Sequence, residues 1–150
     1  MFNTLLVDDE RLARAELRRL LSPYPQISIQ AEASTAEQAL ELMQQQAFDL
    51  VFLDIQMPGI KGIEVLKQLN KSSAMAAPLI ILVTAYDNYA FSAYEHFAFD
   101  YLLKPVSRQR LAQTLLDAKT ALDKQQDMSV PAPQSKLTFK TGTSTLLLDD

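Results

Sequence analysis

The chain has no cysteine, so nothing in it asks for an oxidising compartment. Glycine is almost absent: there are three in 150 residues, and two of them, Gly59 and Gly62, fall in one short stretch. That placement implies a local backbone demand there rather than general flexibility. No glycine-rich loop follows the first apolar run, which leaves a nucleotide-binding reading without support. Apolar runs such as Pro78–Val83 are far too short to cross a bilayer, and the amino terminus enters a strand pattern without a basic leader. The expectation is a cytoplasmic chain with no membrane contact. An excess of positive charge is also missing, since 14 Lys and Arg stand against 18 Asp and Glu for a net charge of −4. This argues against the stretch gripping nucleic acid by itself. Arg11, Arg14, Arg18 and Arg19 form a local basic run, but Glu10 and Glu16 dilute it to a solvated helix face.

What is present is a set of four apolar runs that each end abruptly in a polar group. They are Leu5-Leu6-Val7-Asp8-Asp9, Leu50-Val51-Phe52-Leu53-Asp54, Ile80-Ile81-Leu82-Val83-Thr84 and Tyr101-Leu102-Leu103-Lys104-Pro105. A parallel strand buried on both faces has this form as it emerges at its carboxyl edge. Ligands of open α/β sheets bind at that edge.

Three clustered carboxylates repel one another unless a cation sits among them, and hard oxygen ligands favour Mg²⁺. Phosphoryl transfer needs an oxygen nucleophile placed in line and positive charge around the equatorial oxygens. Asp54 is the candidate nucleophile, and the metal and Lys104 are the candidate charge, a lysine being a compact point charge on a flexible stem. Pro105 makes a cis peptide after Lys104 possible. Taken singly, each residue has a plainer explanation. Asp8-Asp9-Glu10 suits the positive end of a helix, Thr84 suits a strand, and Asp54 and Lys104 suit turns. It is their joint placement at four strand ends that favours a phosphate site.

Between the runs lie amphipathic stretches, the pattern of repeated βα units. Strands are expected at Asn3–Val7 and Ile27–Ala31, and a helix at Glu10–Leu21 with Ala13, Leu17, Leu20 and Leu21 inward before Pro23 and Pro25. Ser34-Thr35-Ala36-Glu37 reads as a capping box ahead of Ala36, Ala39, Leu40 and Met43. A third helix is expected from Ile63, Leu66 and Leu69, and a fourth from Ala90, Ala93, Tyr94 and Phe97. Ser107 caps a fifth, with Leu111, Leu115, Ala118 and Leu122 inward.

The four strand ends, with the turn Asp54-Ile55-Gln56-Met57-Pro58-Gly59, resemble the receiver domain of two-component response regulators over roughly residues 1–122. The resemblance implies a flavodoxin-like (βα)5 doubly wound parallel sheet of order 2-1-3-4-5. It also implies that Asp54 accepts a phosphoryl group from a sensor histidine kinase with Mg²⁺ as cofactor. Asp9 then binds the metal directly, Asp8 holds it through water, and Asp54 and the carbonyl of Gln56 complete the protein ligands. Thr84 and Lys104 hold the phosphoryl oxygens. Thr84 and Tyr101 form the switch, which alters the face made by the fourth helix, fifth strand and fifth helix, a face open to homodimerisation. A ring at Tyr86 borders the path of hydrolytic water, and Tyr89 and Phe91 are candidates for an exposed partner surface.

Residues 1–124 are thus expected to be the receiver, 125–136 a Pro-containing linker, and 137–150 a β-hairpin opening a truncated β-rich output domain. The run Tyr89–Ala93, with Ala98–Pro105, resembles the LytTR class of transcription regulators, in which DNA binding belongs to the output domain. Two alternatives remain. A stand-alone receiver or phosphorelay module has no DNA output. A phosphatase of the haloacid dehalogenase class has a second aspartate two residues after the nucleophile, where this chain has Gln56. The expected protein is therefore a phosphoacceptor switch and not a turnover enzyme.

Overall fold

A computed structural model describes residues 1–55, 78–85 and 98–126, side chains of the last two excepted. Gln56, the stretch holding Gly59 and Gly62, the third and fourth expected helices with Tyr86, Tyr89 and Phe91, the linker and the hairpin lie outside the described residues. The elements in chain order are β1 (Phe2–Val7), α1 (Arg11–Leu21), β2 (Ile27–Ala33), α2 (Ala36–Gln45), β3 (Leu50–Asp54), β4 (Leu79–Thr84), β5 (Asp100–Leu103) and α3 (Arg108–Gln126). The chain divides into two units, Met1–Ala118 and Lys119–Asp150. The sheet and the site belong to the first, and the described part of the second is the end of α3, where Lys119 pairs with Asp123 at 3.1 Å.

All five strands are parallel and run in the order β2-β1-β3-β4-β5, as expected. The three central strands carry the unbroken apolar runs, and every residue of β3 is buried. Burying both faces makes continuous Val, Ile and Leu the stable choice, at about 2 kcal/mol for each fully buried side chain. The edge strands β2 and β5 are only partly covered, which accounts for their mixed composition. Leu5, Val7, Val51, Leu53 and Leu82 point to one face, where Ala36 and Ala39 of α2 and the ring of Phe48 close over them. Leu6, Phe52 and Ile81 alternate to the other face and are fully buried there.

One irregularity has a large consequence. Between Thr4 and Leu5 of β1 the pairing shifts, so that Thr4 opposes Ile29 and Leu5 opposes Ala31. Gln30 is the extra residue, a bulge on the β2 edge. A one-residue slip moves every later side chain to the opposite face. Ala31 and Ala33 therefore join the α2-side core, and Glu32, opposite Leu6, turns to the other face.

Local signals differ from expectation at two helix starts. Helix α1 begins at Arg11 rather than Glu10, which is its extended N-cap residue and makes no side-chain cap. The capping box is displaced by one residue. Thr35 is the N-cap and its hydroxyl accepts the Gln38 N–H at 3.1 Å, while the Gln38 side chain accepts the Ser34 N–H at 2.9 Å. Glu37 takes no part in these bonds, because the extended residue that precedes the first helical one is Thr35, not Ser34. At α3 the Ser107 hydroxyl accepts the Arg110 N–H at 3.0 Å, as expected. Strand β2 also runs two residues past its expected end at Ala31, carried by its pairing with Leu6 and Val7.

Candidate functional site

The carboxyl ends of β1, β3 and β4 lie side by side, with Val7 opposite Leu53 and Asp54 opposite Val83. The next residues of each chain segment are brought to one edge. Asp8, Asp9 and Asp54 offer carboxylate oxygens within 4.8 Å of one another. Asp8 is 1% exposed and Asp54 4%, while Asp9 stands open to solvent. Burying carboxylates so close together is costly without compensating positive charge.

Lys104 supplies part of that charge. Its Nζ donates to Asp8 Oδ2 at 3.0 Å and lies 3.6 Å from Asp54 Oδ2. Strand β5 places it there, for the Lys104 N–H donates to the Thr84 carbonyl at 2.7 Å as the β4–β5 ladder ends. The peptide between Lys104 and Pro105 is cis. Burial works against the lysine's charge, but the hydrogen bond to Asp8 and the charges of Asp54, Asp8 and Glu10 prevail and raise its pKa. Thr84 closes β4 and is fully buried.

Three carboxylates against one ammonium leave an excess of negative charge in a mostly buried, all-oxygen donor set. A hard divalent cation fits that deficit, and Mg²⁺ takes one or two carboxylates while keeping waters and phosphate oxygens for the rest of its octahedron. Asp8 is also well anchored: its N–H donates to the Ala33 carbonyl at 3.0 Å, and its Oδ1 accepts the Glu10 N–H at 2.9 Å. The acidic run thus precedes α1, with Glu10 at its N-cap, instead of filling its first turn, which holds no acid.

Tyr101 lies on edge strand β5 and is 38% exposed. The guanidinium of Arg110 sits over its ring at 5.8 Å. Arg110 also makes a two-pronged pair with Asp100, at 2.7 and 3.2 Å, and donates to the Tyr101 carbonyl at 3.2 Å. Thr114, fully buried, donates to Asp100 Oδ2 at 2.9 Å and accepts from Arg110 at 2.6 Å. The hydrogen bond to Asp100 is the main reason that the Arg110 pKa is raised.

Sequence patterning brings Asp8, Asp9, Asp54, Thr84 and Lys104 to one sheet edge, and the structure places them there; Gln56 lies outside the described residues. It does not single out Arg110, Thr114 or Glu32. Glu32 binds Arg14 at 2.8 Å and Arg18 at 2.6 Å, so much of the basic run on α1 is neutralised from a neighbouring strand. Within that run, Arg19 pairs with Glu16 at 2.7 Å at helical spacing that a sequence displays.

A five-stranded parallel sheet of order 2-1-3-4-5, with an acidic cluster and a lysine at its carboxyl edge, defines a flavodoxin-like α/β domain of the receiver type. Residues 4–116 match the response regulator receiver domain, and the chain belongs to that family. It is 50% identical over 115 residues to a response regulatory protein of Vibrio cholerae, an alignment covering 77% of this chain and 47% of that one. It is 41% identical over 139 residues to the transcriptional regulatory protein BtsR of Salmonella typhi, covering 93% of this chain and 57% of the relative. The chain thus spans about half the length of the curated relatives it matches. Among solved structures, the response regulatory domain of mrkE from Klebsiella pneumoniae superposes with a TM-score of 0.72 at 30% identity, over 81% of this chain and 98% of that one. The REC domain of the response regulator AraT from Geobacillus stearothermophilus gives 0.72 at 31%, over 83% and 98%.

Proposed function

We propose that this chain is a phosphorylation-controlled switch in which Asp54 accepts a phosphoryl group from a sensor histidine kinase. The observation that carries the proposal is the buried Asp54 carboxylate, 3.6 Å from Lys104 and within 4.8 Å of the Asp8 and Asp9 oxygens. An Asp54 oxygen attacks phosphorus, the bond to the donor atom breaks, and the leaving group departs with its electron pair to give an acyl phosphate. Lys104 meets the charge on the transferred oxygens, and the Thr84 hydroxyl, at the end of the neighbouring strand, binds one of them. Asp8, Asp9 and Asp54, with the carbonyl of Gln56, would hold Mg²⁺. When bound, Mg²⁺ supplies divalent charge against the phosphoryl oxygens.

The output follows from the same contacts. A phosphoryl group on Asp54 adds charge and acceptor oxygens that draw Thr84 and Lys104 inward, and Tyr101 turns from its exposed position into the space released. The face beside β5 and α3 is the surface that changes, and a homodimer through it is the expected assembly. Transcription control through a DNA-binding domain following residue 136 is proposed on the BtsR similarity and on the β-rich pattern after the linker. The LytTR class is favoured by Tyr89–Ala93 and Ala98–Pro105. A solved two-component response regulator of the LuxR family shares the fold, but a likeness of fold does not assign an output domain. A stand-alone receiver is the alternative, and the cytoplasm is the expected compartment for either; among the described residues no helix is long and apolar enough to cross a membrane.

Incubation with acetyl phosphate and Mg²⁺, followed by mass spectrometry, tests the central claim. One adduct on Asp54 is expected. Labelling that persists in Asp54→Ala, or is complete in excess chelator, overturns it.

A further inference from the structure

Arg14 joins two parts of the molecule that the phosphoacceptor chemistry does not itself connect. Its Nε donates to Glu32 Oε1 at 2.8 Å, and its Nη1 donates to the main-chain carbonyl of Asp8 at 2.6 Å. Arg18 holds the other Glu32 oxygen at 2.9 and 2.6 Å, so the carboxylate cannot swing away from Arg14 without losing both partners. The Asp8 carbonyl belongs to the planar peptide that links Asp8 to Asp9. Fixing its direction fixes ψ of Asp8 and φ of Asp9 together, and hence the relative aim of the two carboxylates. Asp8-Asp9-Glu10 is a run of like charges just beyond the last residue of β1, where mutual repulsion favours splaying them apart.

We infer that Arg14, oriented by Glu32, is a positioning residue for the divalent-cation site, acting through the Asp8–Asp9 peptide. The inference rests on the phosphoacceptor reading and adds to it a residue on α1 and one on β2. Glu32 reaches α1 because the Gln30 bulge turns it onto that face of the sheet. The planar guanidinium bridges a carboxylate and a carbonyl at once, with one N–H aimed at each. A lysine ammonium at position 14 keeps the charge but not this fixed fork. Mg²⁺ demands near-ideal octahedral geometry, so a small error in ligand placement lowers affinity where a flexible site would absorb it. Groups that orient metal ligands from behind typically change metal affinity by about 10–100-fold when removed.

Isothermal titration calorimetry of Mg²⁺ into the unphosphorylated chain provides the test, with thermal unfolding and far-UV circular dichroism confirming that each variant is folded. Arg14→Lys is expected to raise the Mg²⁺ dissociation constant about tenfold. Glu32→Gln should raise it in the same direction by less, since the amide oxygen still accepts one bond. Arg19→Ala breaks an ion pair on the same helix that makes no bond toward the site, and its dissociation constant should match the parent's. A folded Arg14→Lys that binds Mg²⁺ like the parent overturns the inference, as does an equal loss in Arg19→Ala. Should Arg14→Lys not fold, unchanged affinity in Glu32→Gln overturns it instead. A parent chain that takes up no Mg²⁺ removes the phosphoacceptor reading and this inference together, whereas a parent that binds with variants that match it removes only this one.

Discussion

Lys104 lies 96 positions beyond Asp8 in the chain, yet its Nζ donates to Asp8 Oδ2 at 3.0 Å and stands 3.6 Å from Asp54. One ammonium thus faces two carboxylates that are almost fully buried. A divalent cation held beside Asp8, Asp9 and Asp54 would compensate the same charge as the lysine, so the two effects on stability are expected to be coupled.

Lys104→Met is expected to destabilise the chain by about 2 kcal/mol without Mg²⁺, because it leaves buried acceptors short of a donor. Saturating Mg²⁺ should recover much of that loss. Urea unfolding of parent and variant, with and without Mg²⁺, measures it, and a deficit identical in both conditions refutes the coupling. The lysine's folded pKa is raised, so its contribution is full below the ordinary lysine range and is lost as pH rises through the folded value.

Thr35→Ala should cost about 1 kcal/mol, the usual worth of an N-cap side chain, whereas Ser34→Ala should cost little, since the Ser34 main-chain N–H keeps its bond to Gln38. Thermal unfolding of the two variants separates the two possible cap positions. The reverse order of destabilisation would return the cap to Ser34.

Burial opposes the charge of Glu32, but Arg18 and Arg14 outweigh it and its pKa is lowered. Its stabilising effect is therefore present above the unfolded value and lost as pH falls through the folded one. The stability gap between the parent and Glu32→Gln should be constant near neutral pH and close on acidification below the ordinary glutamate range. Chemical unfolding at a series of pH values reads this directly, and a gap that widens in acid contradicts it.

Thr114→Val keeps the side-chain shape and deletes a hydroxyl that donates to Asp100 and accepts from Arg110. The expected cost is about 1–2 kcal/mol, from a part-buried carboxylate left short of a donor. The same change should loosen Arg110 over Tyr101, visible as altered ring resonances of Tyr101 in NMR spectra. An unchanged Tyr101 environment would mean that the Asp100 pair alone holds Arg110.

The sequence by itself determined the architecture and the acidic edge. Parallel strands buried on both faces must be continuously apolar, so each run and its polar terminus are visible in the residue order, and sheet topology brings those ends together. Asp8, Asp9, Asp54, Thr84 and Lys104 were legible for that reason. The tertiary structure decided what depends on register and on partners distant in the chain. The Gln30 bulge leaves no signature in composition, yet it turns Glu32 onto the face of α1, where Arg14 and Arg18 meet it. Asp100, Arg110 and Thr114 meet only when β5 and α3 are packed. Helical spacing foretells neighbours three and four residues apart; a side chain's partner on another strand is set by the pairing of the sheet, which no local pattern encodes.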